Sequence, residues 1–185
     1  IGFGNYIKGA GYPTTAASIG QSGHEVVTVQ MDPTGKVQAF VGVSPHGQGL
    51  KTTFAQVLAD EIGISVEDVE ILCGDTDAAS DGTGTWGSRS VVAGGGALRL
   101  AGQGLRNKIT RLAANLLEVP VEEVIVEGGY VLVQGKEEKI PVSRVAETAF
   151  SDTNALHGSL GHGLVCTRRF ESAGPVYSNG AHMAI

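Results

Sequence analysis

The stretch GVSPHGQGLKTTFAQVLADEIGISVEDVEILCGDTDAASDGTGTWGSRSVVAGGGALRLAG, residues 42–102, decides the fold. Within it Leu50, Phe54, Val57, Leu58 and Ile62 recur at the spacing of one helical face, and Gly63 stands where a helix ends. VEILC at 69–73 reads as a short strand. Residues 74–88 have no periodicity and read as a long loop. A second helix carries Leu98, Ala101, Leu105, Ile109, Leu112 and Leu116 on one stripe, with Ser88 or Ser90 as candidate N-cap.

Upstream, Val26, Val27 and Val29 open a β-rich run, DPTG at 32–35 signals a turn, and VQAFVGV at 37–43 returns as the second strand of a hairpin. Residues 1–23, rich in Gly, Ala, Thr and Ser, read as an irregular opening segment. Downstream, 124–133 is a strand pattern interrupted by Gly128 and Gly129, 143–150 is a short helical pattern, 164–170 is a strand, and GAHMAI at 180–185 reads as a strand cut at its beginning. ADEIGISVEDV at 59–69 echoes ANLLEVPVEEV at 114–124. Either a duplication or a shared chemistry of helix-to-strand connections accounts for the echo. Two helix-then-strand units after an antiparallel pair predict an α+β, two-layer domain, with helices packed on one face of a mixed sheet and a β-β-α-β-α-β core. The expectation is a single domain over 1–185, with its core at 24–133 and a partial C-terminal extension at 134–185.

Composition narrows the function. The 185 residues hold 13 Lys and Arg against 19 Asp and Glu, a net charge of -6, which argues against a nucleic-acid partner or a basic membrane-surface patch. No apolar run approaches the ~18 residues of a membrane span. Hydrophobic residues at 42% exclude global disorder. Cys73 and Cys166 cannot by themselves build a four-thiolate zinc site, and two reduced thiols in a reducing compartment, the cytoplasm, are the expected state. Glycine, 28 of 185 residues, is present at about twice its usual ~7% and in clusters, as where backbone bends sharply or approaches a ligand.

Two glycine-bearing turns precede the two helices. SPHGQG at 44–49 places Gly47 and Gly49 beside the Gln48 carboxamide at a helix N-terminus, where free N–H groups favour anions. GTGTWGSRS at 82–90 formally matches GxGxxG but does not follow a strand immediately, so a dinucleotide fingerprint is a poor reading. It still offers the hydroxyls of Thr85, Ser88 and Ser90, the Arg89 guanidinium and the Trp86 ring. Each turn alone also reads as an ordinary helix lead-in. Together they predict one ligand held between two helix starts. Gly94, Gly95 and Gly96 are costly in a helix by ~0.8–1 kcal/mol each, and close packing against backbone or a cofactor is the expected compensation. Asp75, Asp77 and Asp81 depart from the calcium-hand spacing and read as a solvated acidic loop. Among five scattered histidines only His157 and His162 lie close in sequence. No serine-hydrolase elbow and no P-loop appears.

On these residues the chain resembles the large, molybdenum-cofactor-binding subunit of the xanthine dehydrogenase, aldehyde oxidase and aerobic carbon monoxide dehydrogenase family. The GQG turn, Ala55–Gln56 on the following helix, GDT at 74–76 and the GTGTWGSRS segment carry the resemblance, which VYSNGAHMAI at 176–185 extends. GTWGSRS is closer to bacterial members of the carbon monoxide dehydrogenase kind. The resemblance implies a molybdopterin, in bacteria often the cytosine dinucleotide form, with the metal held by cofactor sulfurs rather than by protein ligands. It implies that Gly47, Gln48 and Gly49 contact the pterin or its phosphate. It likewise implies that Thr85, Trp86, Gly87, Ser88, Arg89 and Ser90 hold the pyrophosphate and nucleotide end. It also implies that the catalytic glutamate lies beyond residue 185, and that iron–sulfur and FAD groups belong to other domains of the chain or to other subunits. With Ile1 in first place and GAHMAI at the end, the chain is expected to be a fragment that binds cofactor and does not turn over a small-molecule substrate alone. The rival readings are a non-catalytic nucleotide- or anion-binding module and a calcium-binding interaction domain.

Overall fold

The computed structural model describes residues 1–11, 23–79, 81–151, 163–174 and 176–185. Its centre is a four-stranded mixed sheet. Strands β2 (Glu25–Met31) and β3 (Val37–Val41) form the expected hairpin. Asp32 shapes its turn by accepting from the N–H groups of Thr34 (2.8 Å) and Lys36 (3.1 Å) and from the Thr34 hydroxyl (2.7 Å). Strand β4 (Val69–Cys73) runs parallel to β3, as it must when helix α1 (Leu50–Ile62) supplies the crossover between them. The sheet order is β4-β3-β2, completed by strand β8 (Val165–Phe170) antiparallel to β2.

Helices α1 and α2 (Gly96–Leu117) lie side by side on one face of this sheet. Their stripes, led by Leu50, Phe54, Leu58 and Ile62 and by Leu98, Ala101, Leu105, Ile109 and Leu112, are buried with Val27, Val29, Val37, Ala39 and Val41. Burial of each large side chain stabilises the layer by ~1.5–3 kcal/mol. Leu116, read as the end of the stripe, is 42% exposed. Glycines on α2 set the approach: a Cβ on Gly102 would come within 2.9 Å of Leu58, and one on Gly104 would overlap the Cys166 sulfur of β8. The cost of Gly94 and Gly96 is offset the same way, by Val43 and Phe54 against the first and by Phe170 against the second.

The two echoed segments share local geometry. Each helix ends in a left-handed residue, Gly63 after α1 and Glu118 after α2, followed by a short 3-10 turn and a strand. Their strands go to different sheets, since β5 (Val124–Glu127) pairs with β6 (Tyr130–Val133) across the left-handed Gly128–Gly129 turn, and β6 pairs with β7 (Lys139–Pro141).

Three expectations need correction. Within the opening segment 1–23, residues Gly2–Ala10 form strand β1, paired along its whole length with β9 (Val176–Ala184). The segment 134–185 is no mere extension: helix α3 (Val142–Ser151) sends Val142, Val145, Ala146 and Ala149 into the core, and β8 lies beside β2 in the central sheet. Finally, neither Ser88 nor Ser90 caps α2. The helix is entered through a π-helical turn, Ser90–Gly95, with no side-chain cap at its start. Residues 12–22, and His157 and His162, lie outside the described residues.

Candidate cofactor cleft

The first turn leaves β3 through buried Val43 and reaches α1 at Gly49. Gly47 and Gly49 have φ of 97° and 73°, the left-handed region that favours glycine. Inside the turn the His46 N–H donates to Gln48 Oε1 at 2.8 Å. That engages the carbonyl end of the Gln48 carboxamide and leaves its NH2 end as the donor.

The second turn approaches the first from the side of α2. Thr85 fastens the two: its hydroxyl donates to the Ser44 carbonyl at 2.8 Å and accepts from the Ser44 N–H at 2.8 Å. Gly87 and Ser88 follow with φ of 55° and 57°, after which Arg89 returns to the right-handed region and the π-helical turn begins. Ser88 is one of only two non-glycine residues with positive φ among the described residues, a conformation that neighbouring structure must enforce.

Between the turns lies a cleft of 370 Å³ lined by His46, Gln48, Thr85, Trp86, Ser88 and Ser90, with Gly87 and Val91. The volume falls in the ~300–1,000 Å³ range of small-molecule sites. The N-termini of α1 and of the π-helical turn both open here. A Cβ added to Gly47, Gly49, Gly84 or Gly87, all of positive φ, would meet nothing within 4 Å. These glycines avoid no protein neighbour. They keep backbone bare beside open space. The Trp86 indole nitrogen is buried with no hydrogen-bond partner among the described residues, an orphan donor in the same wall.

Two predicted donors do other work. Thr85 lines the cleft, but its hydroxyl proton and one of its lone pairs are engaged by Ser44, so it joins the two turns. The Arg89 side chain, 1% exposed, turns away from the cleft into the protein and pairs with Glu25 at 2.7 Å. Its remaining bonds go to the carbonyls of His24 and Gly84, and the Trp86 ring lies 5.6 Å from it. In this arrangement its guanidinium does not reach a phosphate. Burial pushes the Glu25 carboxyl up from the ordinary carboxylate range, against the opposing pull of the Arg89 hydrogen bond and charge. Glu25 went unmarked in the sequence reading, yet strand parity marks it: it shares a face with Val27, Val29 and Met31, so a charge there needs a buried partner.

The other candidates disperse. Asp75 caps its own turn by accepting from the Asp77 N–H at 2.9 Å, and Asp81 pairs with His24 at 3.0 Å. No group of three or more His, Cys, Asp or Glu able to hold a metal occurs among the described residues. Cys73 and Cys166 are free thiols. No described helix is long and apolar enough to cross a membrane.

Likeness to known proteins gives the family. The molybdopterin cofactor-binding domain family matches residues 1–185. The chain is 36% identical over 163 residues to the nicotine 6-hydroxylase large subunit of Paenarthrobacter nicotinovorans, covering 88% of this chain and 20% of that one. It is 33% identical over 185 residues to the carbon monoxide dehydrogenase large chain of Afipia carboxidovorans, covering 100% of this chain and 23% of that one. The crystal structure of quinoline 2-oxidoreductase from Pseudomonas putida 86 superposes with a TM-score of 0.84 at 31% identity, over 97% of this chain and 24% of that one. The chain therefore spans about a fifth to a quarter of the length of these relatives. Family match, relatives and fold agree: this chain belongs to the molybdopterin cofactor-binding domain family of the molybdenum hydroxylases.

Proposed function

We propose that the cleft between residues 44–49 and 84–91 holds the molybdenum cofactor, in its cytosine dinucleotide form. The observation that carries this reading is the meeting of Gln48 with Trp86, Ser88 and Ser90 in one cleft, beside glycines whose Cβ positions are empty. Gly47, Gln48 and Gly49 offer backbone N–H groups and one carboxamide donor to the pterin or its phosphate. Gly87, Ser88 and Ser90 offer backbone and hydroxyl donors to the pyrophosphate, and Trp86 walls the nucleotide end. Arg89 shapes this wall from behind. When bound, the cofactor supplies two-electron redox chemistry at its metal, through which water-derived oxygen is added to a substrate.

On this reading the chain is the cofactor-holding part of a hydroxylase that oxidises aldehydes, N-heterocycles or carbon monoxide. Within that range, the names of the relatives support N-heterocycles and carbon monoxide. The catalytic glutamate, the iron–sulfur clusters and FAD belong to other domains or subunits, the chain alone does not turn over substrate, and the enzyme works in the cytoplasm. The test is molybdenum analysis, and the fluorescence of released, oxidised pterin, on the chain and on its Gln48→Ala and Ser88→Ala variants. The reading expects metal and pterin in equal amounts in the parent and less of both in the variants. Equal content in all three would refute the site assignment.

A further inference from the structure

The Glu25–Arg89 pair lies behind the cleft: neither side chain lines it, and the Arg89 guanidinium lies 5.6 Å from the Trp86 ring, which does. Both side chains are buried, at 0% and 1% exposure, 2.7 Å apart. The space for the carboxylate is built in. A Cβ on Gly42 would come to 2.7 Å from Glu25 Oε1, and one on Gly82 would overlap the same atom. Gly82 itself forms an isolated bridge with Glu25. The guanidinium then ties the start of β2, through the Glu25 carboxylate and the His24 carbonyl, to the cleft segment, through the Gly84 carbonyl. Arg89 also follows left-handed Ser88 directly and precedes the first residue of the π-helical turn.

A buried ion pair is a weak device for stability, since a well-packed apolar pair of the same volume does as well or better. What an apolar pair lacks is direction. A planar guanidinium held by a carboxylate and two carbonyls fixes the angle of the backbone that carries it.

We propose that Glu25 is a positioning residue of the cofactor cleft: by holding Arg89 it sets the path of residues 82–90, and with it the places of Trp86, Ser88 and Ser90. The inference rests on the cofactor reading of the cleft.

The test uses the chain with Glu25→Leu and Arg89→Met combined, which removes both charges and keeps the volume, and the chain with Glu25→Gln, in which Trp86 emission is read because the Arg89 guanidinium stays beside the indole. Three quantities are read: the unfolding temperature, the emission of Trp86, which is the only tryptophan of the chain, and the dissociation constant for molybdopterin cytosine dinucleotide. Positioning predicts an unfolding temperature near that of the parent, a shifted Trp86 emission, and cofactor binding weaker by about tenfold or more. Unchanged emission with binding within about twofold of the parent would overturn it. Should the double variant fail to fold, Glu25→Gln, which keeps the shape of the side chain, carries the same three readouts. A parent chain that takes up no cofactor would refute the cofactor reading instead, and the emission comparison would still decide the positioning role.

Discussion

Replacing Thr85 by valine tests how the two turns are joined. Valine keeps the shape of threonine and deletes its hydroxyl, so both hydrogen bonds to Ser44, each 2.8 Å, disappear together. A neutral hydrogen bond contributes ~0.5–1.5 kcal/mol net, so the pair is worth ~1–3 kcal/mol. Ser44 is exposed, water satisfies its N–H and carbonyl in the variant, and the lower part of that range applies, about 1–2 kcal/mol. For a domain of this size ~1 kcal/mol moves the melting temperature by ~2–4 °C, so calorimetry should show a fall of about 2–8 °C. The binding effect should exceed what a surface hydroxyl normally gives. A ligand bridging both turns must restore their relative placement, and supplying up to the same 1–2 kcal/mol weakens it by about 5- to 30-fold. Thr85→Ser keeps the hydroxyl and should retain most of the affinity. A Thr85→Val chain that melts with the parent and binds cofactor equally well would refute this account of the cleft.

Further expectations follow from other parts of the molecule. Gly104→Ala should destabilise by ~1–3 kcal/mol, because its Cβ overlaps the Cys166 sulfur, and Cys166→Ala in the same chain should recover much of the loss on thermal melting. Asp32 is held below the ordinary carboxylate range, chiefly by the Thr34 hydroxyl. Its folded pKa thus lies below its unfolded one, so its contribution to stability is present above the ordinary value of 3.8 and is lost as pH falls through the folded value. Melting curves of the parent should lose that increment in acid, whereas those of Asp32→Asn should not. Burial pushes the Cys73 thiol up, against a small opposing effect of Lys51. Iodoacetamide should therefore label Cys73 more slowly in the folded chain than in guanidinium at the same pH, and equal rates would contradict its half-buried place.

The periodic parts of the fold were legible in the sequence. The buried alternation of β2 and the stripes of α1 and α2 follow from apolar spacing alone, because each of those elements buries one face. Strand β1 was not legible for the complementary reason. Among the described residues it pairs only with β9, and Phe3 and Ile7 remain 76% and 78% exposed, so no alternation between core and water is written into its residues. Both turns of the site were visible through Gly47, Gly49 and Gly87. What each polar side chain does there was not. The hydroxyl of Thr85 and the guanidinium of Arg89 look like ligand donors in one dimension, and only the third brings Ser44 and Glu25 to them. Glu25 was within reach of parity reasoning, since a carboxylate in phase with Val27 and Val29 is already a buried charge in search of a cation.

Amide hydrogen exchange on the chain, with and without molybdopterin cytosine dinucleotide, tests the shared cleft most directly. The account predicts that added cofactor slows exchange in residues 46–49 and 84–91 together and leaves the β5–β6 turn at Gly128–Gly129 unchanged. Slowing confined to one of the two turns, or falling elsewhere in the chain, would contradict it.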